Sequence, residues 1–247
     1  MHRFFISPSD LQKDQFHSTD KELCHQVSKV LKMRAGKKVI LCDNLENELE
    51  AEWTTVSRSI CEAKIIEKKI VDDISSKLPV HLYVSPLKNQ NRWELILEKG
   101  TEIGIASFTP LISKRSEASE LRKPERLQRI IKEAAEQSGR TKLPELNSPL
   151  QFDQLVEICT PGNALGFIAT LHESTTPLSQ AIEEEIKACP MSKIGLNIFI
   201  GPEGGFTEEE VEEIVKKSVR AVTLGSQTLR TETAAIVAGA LALHQEN

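Results

Sequence analysis

Two runs near the C-terminal end carry the residue types that a ligand pocket needs. The first is Gly201-Pro-Glu-Gly-Gly205, which follows the apolar stretch 196–200 and leads into a helical pattern. Glycines at the carboxyl end of a buried strand let backbone amides approach a ligand, and open α/β sheets bind ligands at that edge. A tight strand-to-helix turn without a ligand fits the same residues. The run has no Gly-Lys-Ser/Thr ending, which argues against a phosphate-cradling P-loop, and it is not G-x-G-x-x-G, so no dinucleotide fingerprint is present. The second run, Leu224-Gly-Ser-Gln-Thr-Leu-Arg-Thr-Glu-Thr-Ala234, also leaves a strand and enters a helix. Glu232 is favoured at a helix start by the helix dipole, whereas the same field opposes Arg230. A cation there needs another reason, such as an anionic substrate or a cofactor carboxylate. A third segment, Leu171-His-Glu173, closes another strand, and His172 is either a general base or a polar loop residue.

A separate cluster of cations lies far from these runs. Lys29, Lys32, Arg34, Lys37 and Lys38 gather at and beyond the end of an N-terminal helical pattern. They complement a helix C-terminus and face solvent, or they contact nucleic acid. Arg3, beside Phe4 and Phe5, either extends that patch or precedes the first strand. Arg115 joins them as a candidate RNA contact.

The elements that must position these residues fall into two patterns. Residues 1–72 read as a small β-rich domain with one helix over 21–31, on whose face Leu23, Val27, Val30 and Leu31 recur. Strands follow at 39–42, 48–56 and 60–67, which suggests a small barrel or sandwich. The polar stretch 71–79, ending in Pro79, is the expected linker. Residues 73–247 alternate strands (81–84, 107–111, 165–171, 196–200, 221–224) with helices, which predicts an α/β domain with a mostly parallel sheet. Asn91 with Glu94, and Thr207 with Glu210, have capping-box spacing, and Phe206 can staple onto Val211. Pro124 opens a helix that stops at Gly139. The last helix, 231–244, is apolar nearly all round and rich in alanine, so burial on several sides is expected.

Composition bounds the function. The 247 residues are 27% charged and 39% hydrophobic, with a net charge of −5. Residues 1–72 hold 12 Lys and Arg against 12 Asp and Glu, so the whole acidic excess lies in the later part and a basic face in the first part is permitted. The five cysteines never form C-x-x-C, which argues against a disulfide framework and against zinc, and no metal is expected. Nothing approaches the roughly 20 apolar residues of a membrane span, and the polar start is not a secretory signal, so a cytoplasmic protein is expected.

Taken together, Glu98-Lys-Gly-Thr-Glu-Ile-Gly104, Ile200-Gly-Pro-Glu-Gly-Gly-Phe206 and the run 224–234 resemble the bacterial 16S ribosomal RNA uridine-N3 methyltransferases of the SPOUT class. Ala134-Ala-Glu-Gln-Ser-Gly-Arg140 and Val30-Leu-Lys-Met-Arg34 also fit, so the resemblance covers essentially the whole chain. Lys32 stands where arginine is common, and Thr228 where an aliphatic residue is usual. The resemblance implies an N-terminal PUA-like RNA-binding β-barrel, a C-terminal α/β domain with a trefoil knot, and a homodimer that acts on the small ribosomal subunit. It implies S-adenosylmethionine held by loops 170–174, 200–205 and 224–234. Leu171, His172, Glu173, Ile200, Gly201, Pro202, Glu203, Gly204, Gly205, Leu224, Gly225, Leu229, Arg230, Thr233 and Ala234 are then the cofactor-binding candidates, and Arg230 and Glu232 the catalytic ones. Two rival functions are methylation of another RNA position, a ribose 2′-hydroxyl or guanine N1, and an RNA-binding or ribosome-assembly protein without catalysis.

Overall fold

The computed structural model describes residues 1–71, 78–158, 164–170, 175–188 and 195–244. The chain divides into two compact units: residues 1–73 with 135–143, and residues 74–134 with 144–247.

The first unit is a six-stranded mixed sheet. Its strands are β1 (Arg3–Phe5), β2 (Leu11–Gln12), β3 (Gln15–Ser18), β4 (Lys38–Cys42), β5 (Asn47–Val56) and β6 (Cys61–Ile70), in the order β1-β4-β5-β6-β3-β2. Only β1 and β4 run parallel; the other pairs are antiparallel. Alternation along β5 sends Leu49, Ala51 and Trp53 inward, where Trp53 meets Phe4 and Phe16 edge-on at ring distances of 6.1 and 6.0 Å. Helix α1 (Lys21–His25) caps this core, with Asp20 accepting from the Glu22 amide.

The expected helix over 21–31 does not run its length as an α-helix. After His25 the chain widens into a π-turn over Gln26–Val30, closed by the Leu31 amide donating to the Gln26 carbonyl at 2.9 Å. The extra residue per turn rotates the following side chains, so Leu23 and Val27 are buried while Val30 is 64% exposed. Cys24, Cys42 and Cys61 are buried and free. Burial pushes the Cys42 thiol up to about 11, against an opposing pull from Arg3 beside it.

The second unit is built on an eight-stranded, all-parallel sheet. Its strands are β7 (Val80–Val84), β8 (Ser107–Ile112), β9 (Glu145–Leu146), β10 (Leu150–Gln151), β11 (Ala164–Ala169), β12 (Thr176–Pro177), β13 (Gly195–Ile200) and β14 (Val219–Thr223). The order is β10-β8-β7-β13-β11-β14-β12, with β9 also paired to β8. Strands β7, β8, β11 and β13 are apolar because neighbouring layers cover both faces, as parallel sheets require. The helices are α2 (Gln90–Ile103), α3 (Pro124–Ser138), α4 (Phe152–Ile158), α5 (Leu178–Ala188), α6 (Glu208–Val215) and α7 (Thr231–Leu243).

Helix α2 starts two residues earlier than Asn91 suggests: Asn89 is the N-cap, and its side chain accepts from the Asn91 amide. It ends at Gly104, whose φ of 112° only glycine adopts without strain. Within α2, Gly100 lies directly against Phe108; a Cβ there would fall 2.5 Å from the ring. In α7, Ala234, Ala235, Ala238, Gly239 and Ala242 are buried against the sheet and its neighbouring helices. Helix α7 packs against α2, α5, β7 and β13, as the expected burial on several sides requires, while Ile236, Val237 and Leu241 stay half-exposed within this unit.

Candidate functional site

A parallel sheet brings every carboxyl strand end to one edge, and at that edge of β11, β13 and β14 lies a cavity of about 430 Å³. Ala169 and Thr170 leave β11; Ile200 through Phe206 leave β13; Leu224, Gly225, Gln227, Thr228 and Leu229 leave β14; Thr231 and Ala234 begin α7. Arg115, from the segment after β8, completes the lining.

The glycine loop is fixed from several directions. Its own turn closes with the Gly205 amide donating to the Pro202 carbonyl at 2.8 Å. Gly205 has a φ of +66°, in the left-handed region. At Gly201 a Cβ would lie 3.1 Å from the Phe206 nitrogen and 3.2 Å from the Gly205 carbonyl carbon, so the turn folds back on itself and a side chain there would press on its own backbone. The Thr231 hydroxyl donates to the Gly201 carbonyl at 3.2 Å and ties α7 to the loop. Arg115 Nη1 donates to the Gly204 carbonyl at 2.7 Å and to the Phe206 carbonyl at 3.3 Å.

Just beyond the loop, α6 begins with the expected capping box. Glu210 accepts from the Thr207 amide at 2.8 Å, while Thr207 Oγ1 accepts from the Glu210 amide at 3.2 Å. The Glu210 carboxylate is nearly inaccessible and also accepts from the Lys114 amide at 2.7 Å, which places Arg115 beside the loop. Phe206 and Val211 share one apolar cluster, consistent with the staple.

A second arginine approaches from α2. Arg92 Nη1 lies 3.4 Å from Glu203 Oε1 and Nε lies 3.5 Å from Glu232 Oε1, so one guanidinium spans the glycine loop and the start of α7. The other oxygen of Glu232 is buried without a hydrogen-bond partner among the described residues. Sequence reasoning missed Arg92, because its carboxylate partners lie over a hundred residues away and no local pattern announces them.

Of the sequence candidates, Ile200, Gly201, Pro202, Glu203, Gly204, Gly205, Leu224, Gly225, Leu229 and Ala234 line the cavity. Arg230 and Thr233 do not. Helix α7 begins at Thr231, and its turn aims 231 and 234 at the cavity while 230 and 233 share an exposed face. The Arg230 side chain is exposed and has no hydrogen-bond or ion-pair partner among the described residues. Leu171, His172 and Glu173 lie outside the described residues. Phe206, Gln227, Thr228 and Thr231 are lining residues that the sequence reading did not select, although each sits inside a run it quoted.

The cations of the first unit separate into two groups. Lys29, Lys32, Arg34 and Lys37 are exposed with no ion-pair partner among the described residues, and Lys38 pairs with Glu50 at 2.8 Å. Arg3 is engaged inside the unit: it pairs with Glu48, donates to Cys42 Sγ at 3.1 Å, and its side chain is 12% exposed. Arg115, expected among the RNA contacts, makes its shortest hydrogen bond to the glycine loop.

Known proteins give this geometry a family. Residues 75–243 match the RNA methyltransferase domain family. The chain is 31% identical to ribosomal RNA small subunit methyltransferase E of Bacillus subtilis, across 96% of this chain and 94% of that protein. It is 29% identical to the Synechocystis protein of the same name, across 96% and 75%. The fold matches a crystal structure of ribosomal RNA small subunit methyltransferase E from Neisseria gonorrhoeae bound to S-adenosyl methionine, with a TM-score of 0.82 at 25% identity, covering 97% of this chain and 95% of that one. A structure from Legionella pneumophila with bound cofactor SAM matches with a TM-score of 0.81 at 29% identity, covering 97% and 96%. The chain thus belongs to the RNA methyltransferase family and, within it, to the ribosomal RNA small subunit methyltransferase E proteins.

Proposed function

We propose that this protein transfers a methyl group from S-adenosylmethionine to N3 of a uridine in the 16S RNA of the small ribosomal subunit. The observation that carries the reading is the cavity where the glycine loop, the β14–α7 segment and the end of β11 converge. Its residues fit that cofactor. Gly201, Gly204 and Gly205 line the cavity without side chains, so much of the loop meets it with backbone, and the volume of about 430 Å³ lies in the ligand-pocket range. Residues 200–205, 224–229, Thr231 and Ala234 would hold the cofactor, which when bound supplies an activated methyl on a sulfonium and so calls for no metal.

The chain's own residues then have two tasks. They must hold a uracil with N3 in line with the methyl group, and they must help the imide lose its proton, because the N3 lone pair is a nucleophile only after deprotonation. The resulting charge spreads onto the two carbonyl oxygens that flank N3. We assign its stabilisation to Arg230, which does not line the cavity but adjoins the lining residues Leu229 and Thr231 in the chain and has no ion-pair partner among the described residues. Glu232 is the candidate base: one carboxylate oxygen lies 3.5 Å from Arg92 Nε, and the other has no hydrogen-bond partner among the described residues. His172, also a candidate base, belongs to the segment left undescribed.

N3 lies on the Watson–Crick edge, so the target must be unpaired or extruded. We assign RNA capture to the first unit as a PUA-like barrel, with Lys29, Lys32, Arg34 and Lys37 as phosphate contacts. The all-parallel order β7-β13-β11-β14 suits a trefoil-knotted domain, and the half-exposed Ile236, Val237 and Leu241 of α7 suit a homodimer interface. Among the described residues no helix is long and apolar enough to cross a membrane, which suits a cytoplasmic enzyme. The test is transfer of label from S-adenosylmethionine to small ribosomal subunits and to naked 16S RNA. Labelled RNA is expected. Binding of subunits without transfer would favour an assembly protein instead.

A further inference from the structure

We infer that Arg115 and Glu210 form a lock that sets the glycine loop before the cofactor arrives, with Glu210 acting through Arg115; this rests on the S-adenosylmethionine reading above. Arg115 lines the cavity, whereas Glu210 does not. Glu210 is thus a positioning residue that works on the cavity from outside it.

A trans peptide unit is planar, so its C=O and its N–H point in opposite directions, and bonding both fixes the plane. In the unit that joins Gly204 to Gly205, the carbonyl accepts from Arg115 Nη1 at 2.7 Å and the amide donates to the Pro202 carbonyl at 2.8 Å. In the unit that joins Phe206 to Thr207, the carbonyl accepts from the same Nη1 at 3.3 Å. The amide of that unit donates to Glu210 Oε2 at 2.8 Å. Both planes are held from both sides, and Arg115 supplies one side of each. Gly205 lies between them with a φ of +66°, and glycine on its own has no preference for that region, so the flanking planes decide the turn. A loop ordered in advance does not have to be ordered by its ligand, and that saving appears as affinity.

The arginine is itself fixed from behind. The Lys114 amide donates to Glu210 Oε1 at 2.7 Å. Ser113 and Ser116 close the same segment, the Ser113 amide donating to Ser116 Oγ at 2.9 Å and the Ser116 amide to the Ser113 carbonyl at 3.0 Å. The Arg115 stem runs along Gly204, where a Cβ would meet its Cδ at 3.4 Å and its Cβ at 3.6 Å. Helix capping explains only half of Glu210. A capping box uses the side chain on the N-cap amide, which Oε2 does here, and it asks for no second partner. Oε1 instead reaches an amide 96 residues away, from a residue only 2% exposed. A phosphate contact explains Arg115 no better, because it does not call for a guanidinium nitrogen committed to two loop carbonyls.

The test is a double-mutant cycle read by calorimetry with S-adenosylmethionine and by the KM values for cofactor and for small subunits. Arg115→Ala, at an exposed side chain, should weaken cofactor binding about 10-fold, the worth of two hydrogen bonds to backbone. The loss should appear in the KM for S-adenosylmethionine and not in the KM for subunits. Glu210→Gln keeps the size of the side chain and loses one of two acceptors, so binding about three- to five-fold weaker is expected. Because Glu210 acts through Arg115, the double variant should bind within about two-fold of Arg115→Ala alone. Factors that multiply in the double variant would assign Glu210 to capping and overturn the lock. Wild-type cofactor affinity in Arg115→Ala, with a raised KM for subunits, would make Arg115 an RNA contact and overturn it as well. Both outcomes leave the enzyme reading intact. Should Glu210→Gln not fold, Arg115→Ala decides alone. A wild-type protein that binds no S-adenosylmethionine overturns both the lock and that reading.

Discussion

Gly205 offers a measurement in which strain can be separated from contact. Its φ of +66° lies in the left-handed region, and an added Cβ would meet nothing within 4 Å. Gly205→Ala therefore introduces no clash, only the backbone cost of about 1–2 kcal/mol for an alanine in that conformation. The cost has two places to appear. If the loop keeps its shape, the folded state loses about 1–2 kcal/mol and cofactor affinity is unchanged. If the loop relaxes, stability is kept and affinity falls about 5- to 30-fold. The two losses, from urea unfolding and from calorimetry with S-adenosylmethionine, should together come to about 1–2 kcal/mol. Gly205→Asn should recover most of it, since asparagine tolerates this conformation. Gly201→Ala should not be rescued by asparagine, because there the obstacle is backbone at 3.1 and 3.2 Å. If Gly205→Ala matches wild type in both assays, or if Gly205→Asn is as impaired as Gly205→Ala, the loop is not held as described.

Other consequences are as specific. Arg230→Lys keeps the charge but loses the forked geometry, and kcat should fall by about 10-fold or more with little change in the KM for S-adenosylmethionine; a wild-type kcat would contradict its role. Gly100→Ala forces a Cβ against the buried Phe108 ring, and despite the better helix propensity it should destabilise by about 1–2 kcal/mol, seen as a lowered urea midpoint. His81 is half-buried, Nδ1 lies 2.7 Å from the Ser107 hydroxyl, and burial lowers its pKa, with Glu145 opposing. The folded state thus disfavours the charged ring. The stability this gives is full above the unfolded value near 6.5 and is lost as pH falls through it towards the folded pKa. Wild type should lose more stability than His81→Gln between about pH 7 and pH 5, and equal losses would refute the assignment.

What the sequence disclosed was whatever is encoded within one turn or one strand. Thr207 and Glu210 announce their capping box because both partners lie within four residues. The apolar run at 196–200 announces a buried strand, and the glycines after it a tight turn. The α2 cap was harder, since Asn89 and Asn91 are equally good residues and only the backbone decides that Asn89 takes the non-helical conformation. The π-turn at Gln26–Val30 was illegible, because periodicity cannot register one extra residue within so short a helix. In the site, a linear reading placed Arg230 and Thr233 beside Leu229 and Ala234, and the helical turn from Thr231 onward separated them. Arg92, and the contact of Arg115 with the glycine loop, were hidden for a different reason. Their work is to hold carboxylates and carbonyls 89 to 140 residues further along, and only the folded sheet brings those groups together.

The most direct test of the central claim is the identity of the modified nucleoside. Small ribosomal subunits lacking the modification would be incubated with the protein and S-adenosylmethionine, their 16S RNA digested, and the nucleosides separated by mass spectrometry. The account predicts 3-methyluridine as the new product, formed at one site. A methyl group on a ribose 2′-hydroxyl or on guanine N1, or no methylated nucleoside at all, would contradict it.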